Sequence, residues 1–209
     1  MRPAQIIRQE GTSMSKCLYF LLTLLAGCAS TGLENIPLLW KPTTGMFSMG
    51  SAELAELQNA RLLLDPVTDG RENAALIGQN REEPTPRQVT TLDDVPAFVT
   101  SRMKALMSAA GIGVVDSDGT AILKTELRRF FVDETKTYQA EVILRVTLTD
   151  PEGNVLWSGL TSGATARFGR SYRADNYYET LSDSLAGAVQ QLLQNRGFRE
   201  ALAESSRAG

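Results

Sequence analysis

Histidine is absent from all 209 residues. The commonest general acid–base side chain and the commonest zinc ligand are therefore missing, and a Ser-His-Asp triad cannot be built. Cysteine is nearly absent. The two that exist, Cys17 and Cys28, both sit in an apolar N-terminal stretch. The rest of the chain thus has no disulfide framework, no cysteine-based metal site and no thiol nucleophile. Charge of one sign is also lacking: 21 Lys and Arg stand against 24 Asp and Glu, a net charge of −3. Nucleic-acid binders usually carry a basic excess, so this balance argues against one. No long run of like charges makes a polyelectrolyte tail. What remains is an ordinary globular composition, 43% hydrophobic and 22% charged, in a chain long enough for one domain plus extensions.

The most apolar stretch is "LYFLLTLLAGCAS", residues 18–30. Its core, Cys17 to Ala26, is about half the ~20 residues needed to cross a bilayer. Short length, a preceding positive charge at Lys16 and small residues at the end describe a secretory signal peptide. Leu25-Ala26-Gly27-Cys28 resembles the lipobox of bacterial lipoproteins. That resemblance implies cleavage between Gly27 and Cys28, diacylglycerol on the Cys28 thiol and acylation of the new amino terminus. The competing reading is a buried helix with a chance cysteine. The first thirteen residues are unusual ahead of a signal, and Met14 is an alternative start. Removing residues 1–27 takes away Arg2, Arg8, Lys16 and Glu10 and moves the net charge to −5. Each buried lipid methylene contributes about 0.8 kcal/mol, so two or more chains anchor a protein stably. Ala29 follows the cysteine, where enterobacterial lipoproteins kept at the inner membrane carry Asp. By that resemblance the expected location is the outer membrane, with the domain facing the periplasm.

Four regions are expected: a signal peptide over 1–27, an acylated terminus and tether over 28–59, an α+β domain over 60–204, and a tail over 205–209. The tether is rich in Thr, Ser, Gly and Pro, and Ile36, Leu38, Leu39 and Trp40 within it are expected to dock on the domain. Residues 60–67, "ARLLLDPV", read as a strand ended by Pro66. Residues 68–90 read as a long polar loop with a short strand near Leu76-Ile77. Thr91 and Asp94 have capping-box spacing ahead of an amphipathic helix that Gly111 ends. Three strands follow, over 120–132, 136–150 and 155–168. The first puts Leu123, Leu127 and Phe131 on one face. In the second, Tyr138, Ala140, Val142, Leu144, Val146 and Leu148 alternate inward. Gly159 and Gly163 in the third suggest a bulge or a close approach. Asp175 is expected to cap a last long helix with a stripe from Tyr178 to Leu192, followed by a short final helical turn at "FREALAE". The order β-α-β-β-β-α predicts an antiparallel sheet of about four strands covered on one face by two amphipathic helices.

Few sequences here carry chemistry. "GIGVVDSDG" (111–119) lacks the spacing and Lys of a phosphate loop, and its acidic part lacks the ligands of a calcium loop. It reads as a helix end and a turn. Asp93/Asp94 suit a helix N-terminus, and Asp133/Glu134 fall in an expected hairpin turn, with no visible reason for the desolvation that acid–base work needs. The most unusual segment is "RFGRSYRADNYYE" (167–179). Arg167, Arg170, Tyr172, Arg173 and Tyr177 make it the candidate surface for a protein partner or a phosphate-bearing lipid. Solvated arginines in a connecting loop are the plainer reading.

The lipobox, the element order, the strands over 136–166 with Trp157 and Gly163, and "NYYETLSDSLAGAVQQLL" (176–193) together resemble YajG-type lipoproteins. They also look like auxiliary lipoproteins of ABC-type lipid-transport systems. The resemblance implies a non-enzymatic envelope protein. It supplies no catalytic residue, metal or cofactor. The expected role is an accessory or scaffold working through envelope protein partners, with a lipid-binding transport auxiliary as the alternative.

Overall fold

The computed structural model describes residues 33–45, 49, 50, 55, 57 and 59–208, all within one compact unit spanning 32–209. The expected signal peptide and the expected lipobox residues Gly27 and Cys28 lie outside the described residues.

Three long strands, β6 (Ala121–Glu134), β7 (Tyr138–Thr149) and β8 (Val155–Arg167), form an antiparallel meander. Strict alternation in β7 buries Tyr138, Ala140, Val142, Leu144, Val146 and Leu148, as its sequence period dictates. The turn to β8 is fastened by Asp150, whose carboxylate accepts from the amide of Asn154 at 2.8 Å. In β6 the register against β7 slips between Leu127 and Arg129. This bulge adds one residue and flips the face that follows. Leu123 and Leu127 point inward as expected, but Phe130, Val132 and Glu134 take the buried positions beyond it. Phe131 moves to the open face, where the Arg129 guanidinium lies 5.0 Å from its ring.

The other edge of β6 carries three short strands end to end. They are β1 (Arg61–Leu64), β2 (Thr68–Asp69) and β3 (Leu76–Asn80), all parallel to β6. Beyond them β4 (Arg87–Thr90) pairs antiparallel with β3, and β5 (Gly113–Val115) pairs parallel with β1. The sheet is therefore mixed and has eight strands, not four antiparallel ones. The α+β class holds. The region expected as a polar loop over 68–90 contains β2, β3 and β4. Their backbone groups are satisfied by β6 and by each other, so their polar side chains did not need an apolar period.

Beside the sheet, the described residues form three long helices rather than the two expected to cover it. Helix α1 (Val95–Ala109) begins at Asp94, whose carboxylate accepts from the Ala97 amide at 2.9 Å, one turn later than the Thr91 cap expected. It ends ahead of Gly111 at φ +95°. Helix α2 (Ala174–Gln194) begins after Arg173, and no side chain caps it. Asp175 lies inside the first turn and pairs with Lys41. Helix α3 (Arg196–Ala208) is longer than the single turn expected. The Asn195 side chain accepts from the Phe198 amide at 3.0 Å, and Phe198 and Leu202 are fully buried.

Helix α2 lies on the β7–β8 face. Its approach is set by Gly163, where an added Cβ would stand 1.9 Å from the Ser184 carbonyl and 2.5 Å from the Ala188 amide nitrogen. The opposite face of the sheet is open. There the polar residues are joined in pairs such as Arg129–Glu141 and Arg128–Glu126, both at 2.7 Å.

Candidate functional site

The end of the sheet where β6, β3 and β8 finish and α2 starts holds a connected network of buried and half-buried polar groups. It follows from the bulge. Because β6 resumes with Phe130, Val132 and Glu134 inward, a carboxylate arrives at the end of an apolar row. Glu134 is 1% exposed. Burying a carboxylate is costly unless it is hydrogen-bonded. The Tyr177 hydroxyl donates to its Oε2 at 2.7 Å, and the Tyr172 amide donates to its Oε1 at 2.6 Å. Burial, and then the Glu134 carboxylate, push the Tyr177 phenol far above its ordinary range, so it stays a donor.

Tyr138 opens β7 beside it, with its ring edge-on to Tyr177 at 5.3 Å between centroids. Burial pushes the Tyr138 phenol up to about 12. Its hydroxyl donates to the Arg170 carbonyl at 2.6 Å and accepts from the Arg173 amide at 3.2 Å. The Asn176 side-chain amide donates to the same Arg170 carbonyl at 2.9 Å. Gly78 in β3 leaves room for all this, since a Cβ there would stand 2.6 Å from the Tyr177 ring.

The connection 168–173 is therefore stitched from below. Tyr172 adopts φ +51°, and its ring lies 4.2 Å from the Arg87 guanidinium. Its hydroxyl accepts from the Leu33 amide at 2.8 Å. The segment from Leu33 onward then runs along the domain. It exchanges backbone bonds with Thr90, and Trp40 packs near Phe98 at 6.4 Å. Ile36 is buried, Leu38 and Trp40 are partly buried against the core, and Leu39 is exposed. The Asp183 carboxylate of α2 accepts from the Thr43 amide at 2.7 Å and the Thr44 amide at 3.2 Å.

Of the residues singled out from the sequence, Tyr172 and Tyr177 meet on the Glu134 carboxylate. Tyr177 is fully buried, so its ring offers nothing to a partner at the surface. Arg167 is half-buried and paired with Glu179. Arg170 and Arg173 keep their side chains exposed. Glu134 was expected in a hairpin turn with no reason for desolvation, but it ends β6 and is buried; Tyr138 was read only as an inward position of β7, and Asp183 was not singled out. Period-2 reading carried back from β7 locates Tyr138, but the bulge hides Glu134. Among the described residues no cluster of three metal-binding side chains occurs, and no helix is long and apolar enough to cross a membrane.

The domain belongs to the class of α+β folds in which helices cover one face of a mixed sheet. No protein-family model matches the sequence, and no curated protein matches it. Several solved structures are similar to the chain. A Xanthomonas campestris protein assigned to the family DUF330 is 14% identical with TM-score 0.50, covering 77% of this chain and 90% of that one. PelC of Paraburkholderia phytofirmans, solved as a dodecamer, is 13% identical with TM-score 0.43, covering 72% and 93%. A candidate lipoprotein of Caulobacter crescentus is 10% identical with TM-score 0.42, covering 76% and 98%. At 14% identity the likeness to the Xanthomonas campestris protein concerns the fold alone.

Proposed function

We propose that the chain is a membrane-anchored envelope lipoprotein, a non-enzymatic accessory or scaffold that works through protein contacts. The observation that carries this reading is the Leu25-Ala26-Gly27-Cys28 motif standing just ahead of Leu33, whose amide is already bonded into the domain. A lipid on Cys28 would then hold a folded domain close to a membrane. The outer membrane is the location that Ala29 favours, with the domain in the periplasm. The buried acids support a structural rather than catalytic use, because Glu134 and Asp183 each hold backbone amides in place. The expected partners are envelope proteins, with no cofactor, metal or nucleic acid required.

A second reading is an auxiliary lipoprotein of an ABC-type lipid-transport system. It is favoured by a crevice of about 210 Å³ between α1 and α2, walled by Leu106, Ala110, Gly187, Val189 and Leu193. Ligand pockets usually run from ~300 to ~1,000 Å³, so this one accepts at most part of an acyl chain, and the scaffold reading stands first. Crosslinking in living cells, purification through a C-terminal tag and mass spectrometry separate the two. The scaffold reading expects envelope proteins and no co-purifying lipid beyond the anchor. Recovery of a transporter together with an extractable lipid would replace it with the second reading.

A further inference from the structure

Four residues, 29–32, separate Cys28 from Leu33. Fully extended, the five steps between them reach roughly 18 Å. Leu33 is fixed to the Tyr172 hydroxyl. An anchor at Cys28 therefore cannot carry the end of the sheet around Tyr172 far from the lipid surface. That end is fitted for such a surface. Phe168, the first residue after β8, is 84% exposed. Arg170, Arg173 and Lys136 are exposed and have no ion-pair partner among the described residues. The carboxylates at the same end are engaged. Asp133 pairs with Arg81, Glu83 with Arg87 at 3.4 Å, and Glu82 accepts from the Ser171 hydroxyl. Glu134 is buried, Asp175 pairs with Lys41 and also feels the charge of Arg173, and Glu34 and Glu82 are exposed acids with no ion pair among the described residues. This end thus presents an exposed aromatic ring beside three exposed cations that make no ion pair among the described residues. The loop is also preformed, since the Tyr138 hydroxyl, the Asn176 amide and the Glu134 carboxylate fix Arg170, Tyr172 and Arg173 by their backbones.

We infer that this end of the domain rests on an anionic lipid surface, with Phe168 in the interfacial layer and Arg170, Arg173 and Lys136 on headgroup phosphates. The inference rests on the lipoprotein reading of Cys28. Aromatic rings favour the bilayer interface, and clustered cations are drawn to anionic leaflets. The anchor provides attachment, and the loop fixes which way the domain faces.

The test uses the full chain, processed in a bacterial host and reconstituted into vesicles of phosphatidylethanolamine and phosphatidylglycerol. A processed chain has no free thiol, because Cys17 is removed and the Cys28 sulfur is acylated. A spin label can therefore be placed at Phe168→Cys, or at Glu152→Cys in the turn at the other end of β8. The label at 168 is expected to gain oxygen access and lose access to an aqueous nickel reagent, while the label at 152 stays aqueous. The shift should vanish when Arg170→Glu and Arg173→Glu are added. Equal aqueous access at 168 and 152 in vesicle-bound, acylated protein would overturn the inference and leave the anchor intact. Protection at 168 accompanied by photo-crosslinks to a protein instead of lipid would also overturn it. A chain that is never acylated and does not float with vesicles would instead sink the lipoprotein reading itself.

Discussion

The hydroxyl of Tyr177 donates to the buried Glu134 carboxylate across 2.7 Å, and so ties the start of α2 to the end of β6. Tyr177→Phe keeps the ring that packs beside Tyr138 and Gly78 but removes the donor. Leaving a buried acceptor short of a partner costs about 1–3 kcal/mol. Denaturant unfolding should show that loss with native secondary structure retained. An unchanged midpoint would mean the carboxylate is satisfied without Tyr177.

Alkaline pH acts on the same cluster. In the unfolded chain tyrosine titrates near ~10. In the folded protein burial raises Tyr138 to about 12, and Tyr177 is raised as well. The folded state therefore binds protons that the unfolded chain has lost. The stability these phenols contribute is complete below pH ~10 and falls as pH rises toward about 12. Thermal melts alongside tyrosinate absorbance should place the loss in that window. Stability that stays flat through it would contradict the burial of both phenols.

Gly163 sets the distance between sheet and helix. Gly163→Ala would push a methyl group into the Ser184 carbonyl and the Ala188 amide. Overpacking of this kind costs ~1–3 kcal/mol or more, and here the obstacle is backbone. Gly187→Ala faces Gly163 across an ordinary 3.5 Å contact and gains up to ~1 kcal/mol of helix propensity. Chemical denaturation of the two variants should therefore give opposite signs. Equal tolerance at both sites would show that α2 does not press on β8 at Gly163.

Asp183 holds the N-terminal segment down. Its carboxylate accepts from both amides and both hydroxyls of Thr43 and Thr44. Asp183→Ala should raise amide exchange over residues 33–45 and open that segment to protease, with the sheet unaffected. Unchanged exchange would mean that the apolar contacts of Ile36 and Trp40 suffice.

The long strands and the amphipathic helices were legible because their burial follows period. In β7 every second residue from Tyr138 to Leu148 is both apolar in the sequence and buried in the structure. Of the short strands, β1 and the start of β3 were expected, while β2, β4 and β5 were not, for physical reasons. β2 is held by bonds to β6 more than by apolar side chains of its own, as when the Gly70 amide just after it donates to the Leu127 carbonyl at 2.9 Å. β5 follows directly on the end of α1, so "GVV" read as part of a turn. The bulge after Leu127 carries no proline or glycine to announce it, and it moved Phe131 outward and Glu134 inward. Arg and Tyr mixed in one segment pointed to the end of the molecule where Glu134 is buried. Only the fold could separate Tyr177, which serves the core, from Arg170 and Arg173, which face outward.

The anchor at Cys28 is the central claim, and intact mass spectrometry of the chain purified from bacterial membranes tests it most directly. A chain beginning at Cys28 and carrying diacylglycerol and an N-acyl group is the predicted result, with Cys28→Ser leaving an unacylated precursor. A chain beginning at Met1 or Met14 with a free Cys28 thiol would contradict it.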